Sequence, residues 1–409
     1  MTRFVTLVFF VTYLGMALGG LPGLKIGRTG VALLAVVALL ISGALSQHAA
    51  AAAVDLPTLV ILFALMGISG QFAASGFYGF LASRVAAAAA SPARLLAFVV
   101  LTAGLLSAFL TNDIVVFAMT PLLCHGLKER GLDCRPYLAA LAGAANAGSA
   151  ASLVGNPQNI LIGAVGHLDF WRFFAVAAPP ALAALLIAYG AVRLAWRTEL
   201  AVLPKAPARD LPPLDRWQTA KGAAALVLLL ILFATPLPRP LAALLALAPL
   251  LVSRKTSTQA VLGSIDWPLI LLFACLFVVN AGIDATGLPA LVLHRAAAHG
   301  ITPDRLSVMT PFAFAASNTI GNVPAVVMVL SLWPAPPPGA LYGLALLTTL
   351  AGNLLLTGSI ANIIVAERAG GARVAFGFRD QARAGVPMAL ASGLVALLWL
   401  GFGGWMPWA

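Results

Sequence analysis

Apolar residues run along this chain in long unbroken blocks, set apart by short polar stretches. The blocks fall at about 4–20, 29–46, 56–70, 95–109, 114–127, 136–150, 173–196, 222–234, 241–252, 268–283, 308–333, 340–356 and 384–407. They are continuous and do not alternate with period two, so they predict helices and not barrel strands. Roughly 17–25 apolar residues in a helix cross a bilayer, where every backbone polar group must be satisfied internally. The pattern therefore predicts an all-α polytopic membrane protein. Residues 95–109 and 308–316 are too short for a crossing and end at polar breaks, as first arms of re-entrant hairpins would.

Four such breaks stand out. They read "LTND" (110–113), "NAGSAASLVGNPQN" (146–159), "SNTIGNVP" (317–324) and "GNLLLTGSIAN" (352–362). Gly, Pro and Asn destabilise a helix interior. In hydrocarbon a broken backbone is tolerated only when buried in protein or lining a watery cavity. Small residues also mediate close helix packing, which explains an isolated Ser or Gly. It does not explain four breaks that each carry Asn.

The breaks are paired by an internal repeat. "DLPTLVILFALMGISGQFAASGFYGFLASR" (55–84) lies over "DWPLILLFACLFVVNAGIDATGLPALVLHR" (266–295) without a gap, at an offset of 211. "TNDIVVFAMT" (111–120) lies over "GNVPAVVMVL" (321–330) at 210, and "SLVGNPQNILIGA" (152–164) over "LLTGSIANIIVAE" (355–367) at 203. Three collinear matches imply duplication, with inverted halves as the transporter precedent. The expected layout is two repeated halves of about five or six transmembrane segments, each with a re-entrant hairpin and an unwound helix. Residues 1–196 form the first half, with its hairpin near 95–127 and broken helix near 136–165. Residues 197–221, with eight charges and four prolines, read as an exposed linker. Residues 222–409 form the second half, with its hairpin near 308–333 and broken helix near 340–366.

Composition narrows the function. With 61% hydrophobic and 9% charged residues, no water-soluble domain fits. The net charge of +11 is spread over loops such as Lys128, Arg130 and Arg135, which is an orientation signal and not a nucleic-acid footprint. The N-terminal "MTRFVTLVFFVTYLGMALGG" reads as a retained first crossing. Cys124, Cys134 and Cys275 are scattered, and the histidines at 48, 125, 167, 294 and 299 sit near segment ends. Neither disulfide, zinc nor other cofactor is expected. Broken helices expose N–H groups that suit an anion, and carbonyls that, with Asn and Ser oxygens, suit Na⁺.

"TNDIVVFAMTP" resembles the hairpin motif of the ion transporter superfamily, which includes divalent anion/sodium symporters, citrate transporters and arsenite permeases. "GNPQN" resembles the sodium-site loop of those symporters, and "GNVPAVVMV" the second-half hairpin of arsenite permeases. By position, the resemblance implies a cation and substrate site from Thr111, Asn112, Gly155, Asn156 and Asn159 in the first half. Gly321, Asn322, Thr357, Gly358, Ser359 and Asn362 complete it from the second. Ser317-Asn318-Thr319 spells the symporters' Ser-Asn-Thr signature, but the repeat places the equivalent position at 321–323. Ser317 and Asn318 are therefore expected to line the cavity. The resemblance further implies a homodimer, a scaffold domain and a mobile transport domain in a bacterial inner (plasma) membrane.

Asp113 is the one charged residue between Arg94 and Lys128. An ionised carboxylate at mid-membrane costs roughly 3 kcal/mol, so such residues are functional candidates by default. Asp113 reads as a coupling residue that takes up a proton or holds Na⁺ beside Asn112. Asp55 and Asp266, each followed closely by proline, read as helix N-caps. The leading expectation is a secondary active transporter moving a small anion or oxyanion by alternating access, coupled to H⁺ or Na⁺. Metalloid efflux or Na⁺/H⁺ exchange on the same fold is the alternative, and a channel ranks below both. No metalloprotease motif, paired intramembrane aspartates or Ser-His constellation supports an enzyme.

Overall fold

The computed structural model describes residues 1–21, 23–88, 91–202, 213–255, 257–333 and 335–408. Twenty α-helices and two 3₁₀ turns make up its regular structure. The first ten are α1 (Thr2–Leu18), α2 (Arg28–Ile41), α3 (Gln47–Ala53), α4 (Leu56–Ala74), α5 (Phe77–Ala88), α6 (Pro92–Phe109), α7 (Asn112–Glu129), α8 (Arg135–Ser149), α9 (Pro157–Val165) and α10 (Phe170–Ala195). The second ten are α11 (Arg216–Leu232), α12 (Arg239–Leu251), α13 (Thr258–Gly263), α14 (Trp267–Asp284), α15 (Leu288–Ala298), α16 (Leu306–Thr319), α17 (Asn322–Leu332), α18 (Pro338–Ala351), α19 (Ile360–Gly371) and α20 (Phe378–Phe402).

The second ten repeat the first. α2 begins at Arg28 and α12 at Arg239, and the same interval of 211 residues separates the starts of α3 and α13, α4 and α14, and α5 and α15. The interval is 210 between α7 and α17, and 203 for both α8 to α18 and α9 to α19. The drop of seven reflects the lengths of α7 and α17, which have 18 and 11 residues. The duplication thus extends upstream of the stretches that sequence identity matches. Asp55 and Asp266 cap α4 and α14 alike, accepting hydrogen bonds from the backbone N–H groups of Thr58 (3.2 Å) and Leu269 (3.0 Å).

The halves interlock. α2 packs on α14 and α12 on α4, α1 on α14 and α11 on α4, and α7 on α19 and α17 on α9. Each contact has its reciprocal, as a two-fold relation between two similar units requires. Among the described residues, five helices, α4, α6, α10, α14 and α20, are long and apolar enough to cross a membrane. The outward faces of the peripheral helices are apolar, with Phe10, Leu186 and Leu390 exposed.

Three expectations change. α6 has 18 residues and is not a short arm, because the Ser91 hydroxyl accepts from the Arg94 N–H and Pro92 opens the helix three residues before the apolar block. The linker is shorter than its composition suggests. Residues 203–212 lie outside the described residues, while Arg216 to Lys221 already belong to α11, capped by the Asp215 carboxylate. The flanks are tied down: Arg383 pairs with Glu199 at 2.7 Å and Lys255 with Asp215 at 3.0 Å. Partial desolvation works against it, but hydrogen bonds from Thr198 and Arg383 hold the Glu199 carboxyl down at about 2. Finally, two of the cysteines that are scattered in sequence are neighbours in space, with Cys134 Sγ 3.6 Å from the Cys124 carbonyl oxygen.

Candidate functional site

The four breaks lie where the two halves meet. α6 stops at Phe109, Leu110 and Thr111 are extended, and α7 starts at Asn112. The Asn112 N–H donates to the Gly155 carbonyl at 2.9 Å, tying the first hairpin's tip to the gap between α8 and α9. Thr111 meets Ser69 of α4, hydroxyl to hydroxyl, at 3.3 Å.

Within each gap one asparagine folds the backbone around itself. Asn159 Nδ2 donates to the carbonyls of Ser149 (3.2 Å) and Ser152 (3.0 Å). Asn362 Nδ2 donates to those of Gly352 (2.8 Å) and Leu355 (3.0 Å). All three pairs of equivalent residues are 203 apart, so the repeat is written in hydrogen bonds as well as in sequence. Carbonyls orphaned at the ends of α8 and α18 are satisfied by an amide from the helix that follows. Asn156 and Ser359, again 203 apart, cap α9 and α19 by accepting from the N–H groups of Asn159 (2.9 Å) and Ala361 (3.2 Å). Gly155 and Gly358 sit where backbones touch. A Cβ at Gly155 would run into Ser149 and the Ser107 carbonyl, and one at Gly358 into the side chain of Asn318.

Asn146, fully buried in the last turn of α8, joins the halves. Its Oδ1 accepts from Asn112 Nδ2 (3.2 Å) and Ser359 Oγ (2.9 Å), and its Nδ2 donates to Asn353 Oδ1 (2.8 Å) and Asn362 Oδ1 (3.0 Å). The hydrogen-bonding capacity of its side chain is thus used on partners from both repeats.

The two hairpin tips differ. Gly321, the counterpart of Thr111, has φ of 96°, a left-handed conformation that suits glycine. Asn322 turns inward on its own helix, its Oδ1 accepting from the Val323 N–H at 2.9 Å. The clasp on the second gap comes from Asn318, whose Nδ2 donates to the Ala351 carbonyl (2.9 Å) and whose Oδ1 accepts from the Leu355 N–H (3.1 Å). Thr357 donates to the Asn318 carbonyl at 3.4 Å, and the Ser317 hydroxyl to that of Thr348 at 3.1 Å.

One asymmetry has chemical weight. Asn112 Oδ1, Asn159 Oδ1 and Ser107 Oγ are buried without a hydrogen-bond partner among the described residues. Their counterparts in the second half all have one: Asn322 Oδ1 from Val323, Asn362 Oδ1 from Asn146, and Ser317 Oγ to Thr348. A buried polar atom left unpaired costs about 1–3 kcal/mol, so such oxygens are where a bound water or ion adds stability. Asp113 follows Asn112 directly in the chain. It lies in the first turn of α7, where the helix dipole favours negative charge, and it is half-buried. Its carboxylate makes no hydrogen bond or ion pair with any described residue.

A family model described as citrate transporter (CitMHS) matches residues 7–339. The chain belongs to the citrate transporter family. Among its relatives, the silicon efflux transporter LSI3 of Oryza sativa subsp. japonica is 27% identical, the match covering 89% of this chain and 90% of that protein. The inner membrane protein YbiR of Escherichia coli (strain K12) is 31% identical, covering 85% and 88%. The putative transporter arsB of Dictyostelium discoideum is 22% identical, covering 94% and 88%. The chain also shares the fold of the Alcanivorax borkumensis YdaH transporter, with a TM-score of 0.55 and 16% identity over 99% and 98% of the two chains. This citrate transporter family member is a multi-pass membrane transporter and not an enzyme.

Of the residues expected at the site, Asn112, Ser359 and Asn362 bond directly to Asn146, while Gly155, Asn156 and Asn159 shape the gap beside them. Thr357 and Gly358 lie against Asn318. Asn322 and Asp113 make no bond into the network. Sequence comparison passed over Asn146 and Asn353 because the repeat sets them opposite Thr349 and Ala150, so neither is a matched position. It gave Asn318 a lining role because it matched helix starts and not side-chain reach. Ser69 lies outside all four breaks and carried no signal.

Proposed function

We propose that this family member is a secondary active transporter that moves a small anion or oxyanion by alternating access, with coupling to Na⁺ or H⁺ in the first half. The observation that carries the reading is the set of three unpaired buried oxygens in the first half, on Asn112, Asn159 and Ser107, against three satisfied counterparts in the second half. Carbonyl and hydroxyl oxygens beside broken helices suit Na⁺, and Asp113 is the group that would take a proton. The equivalent oxygens of the second half are already partnered, so one coupling ion per cycle is expected. The solute would exchange its oxygens for those that Asn146, Asn353, Asn362 and Ser359 now share. Vesicles carrying the purified protein, loaded with Na⁺ or proton gradients and offered citrate, arsenite or silicate, test the reading. Uptake or efflux driven by either gradient with a Hill coefficient near one supports it. Flux indifferent to both gradients would sink it.

A second reading, efflux of a neutral hydroxylated metalloid, is favoured by the chemistry of the network. Every side chain in it is an amide or hydroxyl, and no Lys or Arg occurs in the four breaks. Amides and hydroxyls offer donors and acceptors but no counter-charge. Arsenite or silicate flux without citrate flux would select this reading, and exchange of Na⁺ for protons with no other solute would select an antiporter. The family resemblance also supports a homodimer in an inner membrane, which cross-linking in native membranes would test.

A further inference from the structure

An apolar chamber of about 470 Å³ lies between α1, α15 and the second hairpin, walled by residues such as Phe9, Phe10, Ala296, Met309, Phe312 and Met328. It has no equivalent contact pattern in the first half, where α5 packs along both α6 and α7. α15 packs chiefly on α14, and the chamber separates it from α16 and α17. Phe10, Val292 and Ile301 line the chamber yet are 65%, 63% and 52% exposed, so they form its mouth. That mouth continues into Leu7, Val11 and Leu14, the exposed apolar stripe of α1. On a membrane-spanning chain an exposed apolar surface of this kind suits lipid chains.

Two arginines adjoin the lining residues in sequence. α15 has 11 residues, roughly 16 Å at 1.5 Å per residue, too short to cross a bilayer, and it ends beside His299 as an interfacial helix would. Arg295 follows Val292 by three positions and Leu288 by seven, so it continues the face that lines the chamber. Its guanidinium has no hydrogen bond or ion pair among the described residues. Arg305 precedes Val308 and Met309 by one turn and makes a single long bond, 3.4 Å, to the Gly300 carbonyl. Asp304 beside it pairs with neither arginine.

We propose that the chamber takes one acyl chain of an anionic membrane phospholipid, with the lipid phosphate held between Arg295 and Arg305. An apolar space open to lipid gains dispersion contacts when a chain fills it. Selection among lipids then falls to the two arginines, since juxtamembrane basic residues attract anionic headgroups.

The test is thermal unfolding of the full chain in detergent, titrated with dioleoyl phosphatidylglycerol, dioleoyl phosphatidylcholine or soluble glycerophosphoglycerol. Phosphatidylglycerol raises the midpoint most. The paired substitution Arg295→Gln and Arg305→Gln weakens its apparent affinity roughly thirtyfold, down to that of phosphatidylcholine. Ala296→Trp, or Val292→Trp should the first fail to fold, fills the chamber and removes the response. Equal stabilisation by both lipids, stabilisation by the soluble headgroup alone, or a wild-type response in a folded chamber-filling variant would each overturn the proposal.

Discussion

At the scale of single residues, the asparagines of the breaks divide by what they bond. Asn159 and Asn362 do the same structural job, each satisfying two backbone carbonyls from ten and seven positions upstream. Replacing either by alanine orphans both carbonyls, at about 1–3 kcal/mol per group. The two variants should therefore lose thermal stability together. Only Asn159→Ala should weaken cation dependence of flux, by roughly tenfold or more, as loss of a site partner commonly does. Asp113→Asn should abolish coupled transport while leaving the unfolding midpoint within a few degrees of wild type. Retained coupling with an unchanged pH profile would remove Asp113 from the mechanism. The position of Asp113 was readable because one charge in 33 residues needs a reason. The role of Asn146 was not, because an amide in the last turn of an apolar helix looks the same in sequence whether it bridges four partners or none.

At the scale of elements, the breaks were legible and their internal shape was not. Asn and Gly inside apolar runs marked where helices stop, since nothing else in lipid explains them. Which carbonyl each amide reaches depends on a backbone path of seven to ten residues, and that path is set by packing. Gly155 shows the tightness of the result. Gly155→Ala forces a methyl against backbone atoms of Ser149 and Ser107, and overpacking of this kind costs typically about 1–3 kcal/mol. The variant should show both a lower unfolding midpoint and loss of flux; wild-type behaviour in both would mean the gap is looser than described. The Glu199 to Arg383 pair offers a pH test. A carboxyl held at about 2 instead of 4.5 stabilises the fold at neutral pH, and the contribution fades as pH falls through that interval. The midpoint difference between wild type and Glu199→Gln should be constant above pH 5 and vanish near pH 2. A difference that persists to pH 2 would show that the ion pair is not its source.

At the scale of the whole molecule, the polar matches between residues 55 and 367 were legible, and the rest of the duplication was not. The helices α1 to α3 and α11 to α13 sit largely against lipid or on the opposite half, where any apolar residue serves. Sequence identity decays there while helix order persists. The reciprocal packing of α2 on α14 and α12 on α4 leaves each half without part of its own cover. Residues 1–202 and 213–409 expressed separately should be unstable, and co-expression should restore a folded assembly.

The claim beneath all of this is that the unpaired oxygens of the first half hold a single coupling cation, which their satisfied counterparts in the second half do not. The direct measurement is thermal unfolding of the purified chain against Na⁺, with choline as control, in wild type, Asn159→Ala and Asn362→Ala at several pH values. A one-site Na⁺ or proton response that is lost in Asn159→Ala and retained in Asn362→Ala is the predicted result. Equal loss in both variants, or a cation response that survives in Asn159→Ala, would contradict it.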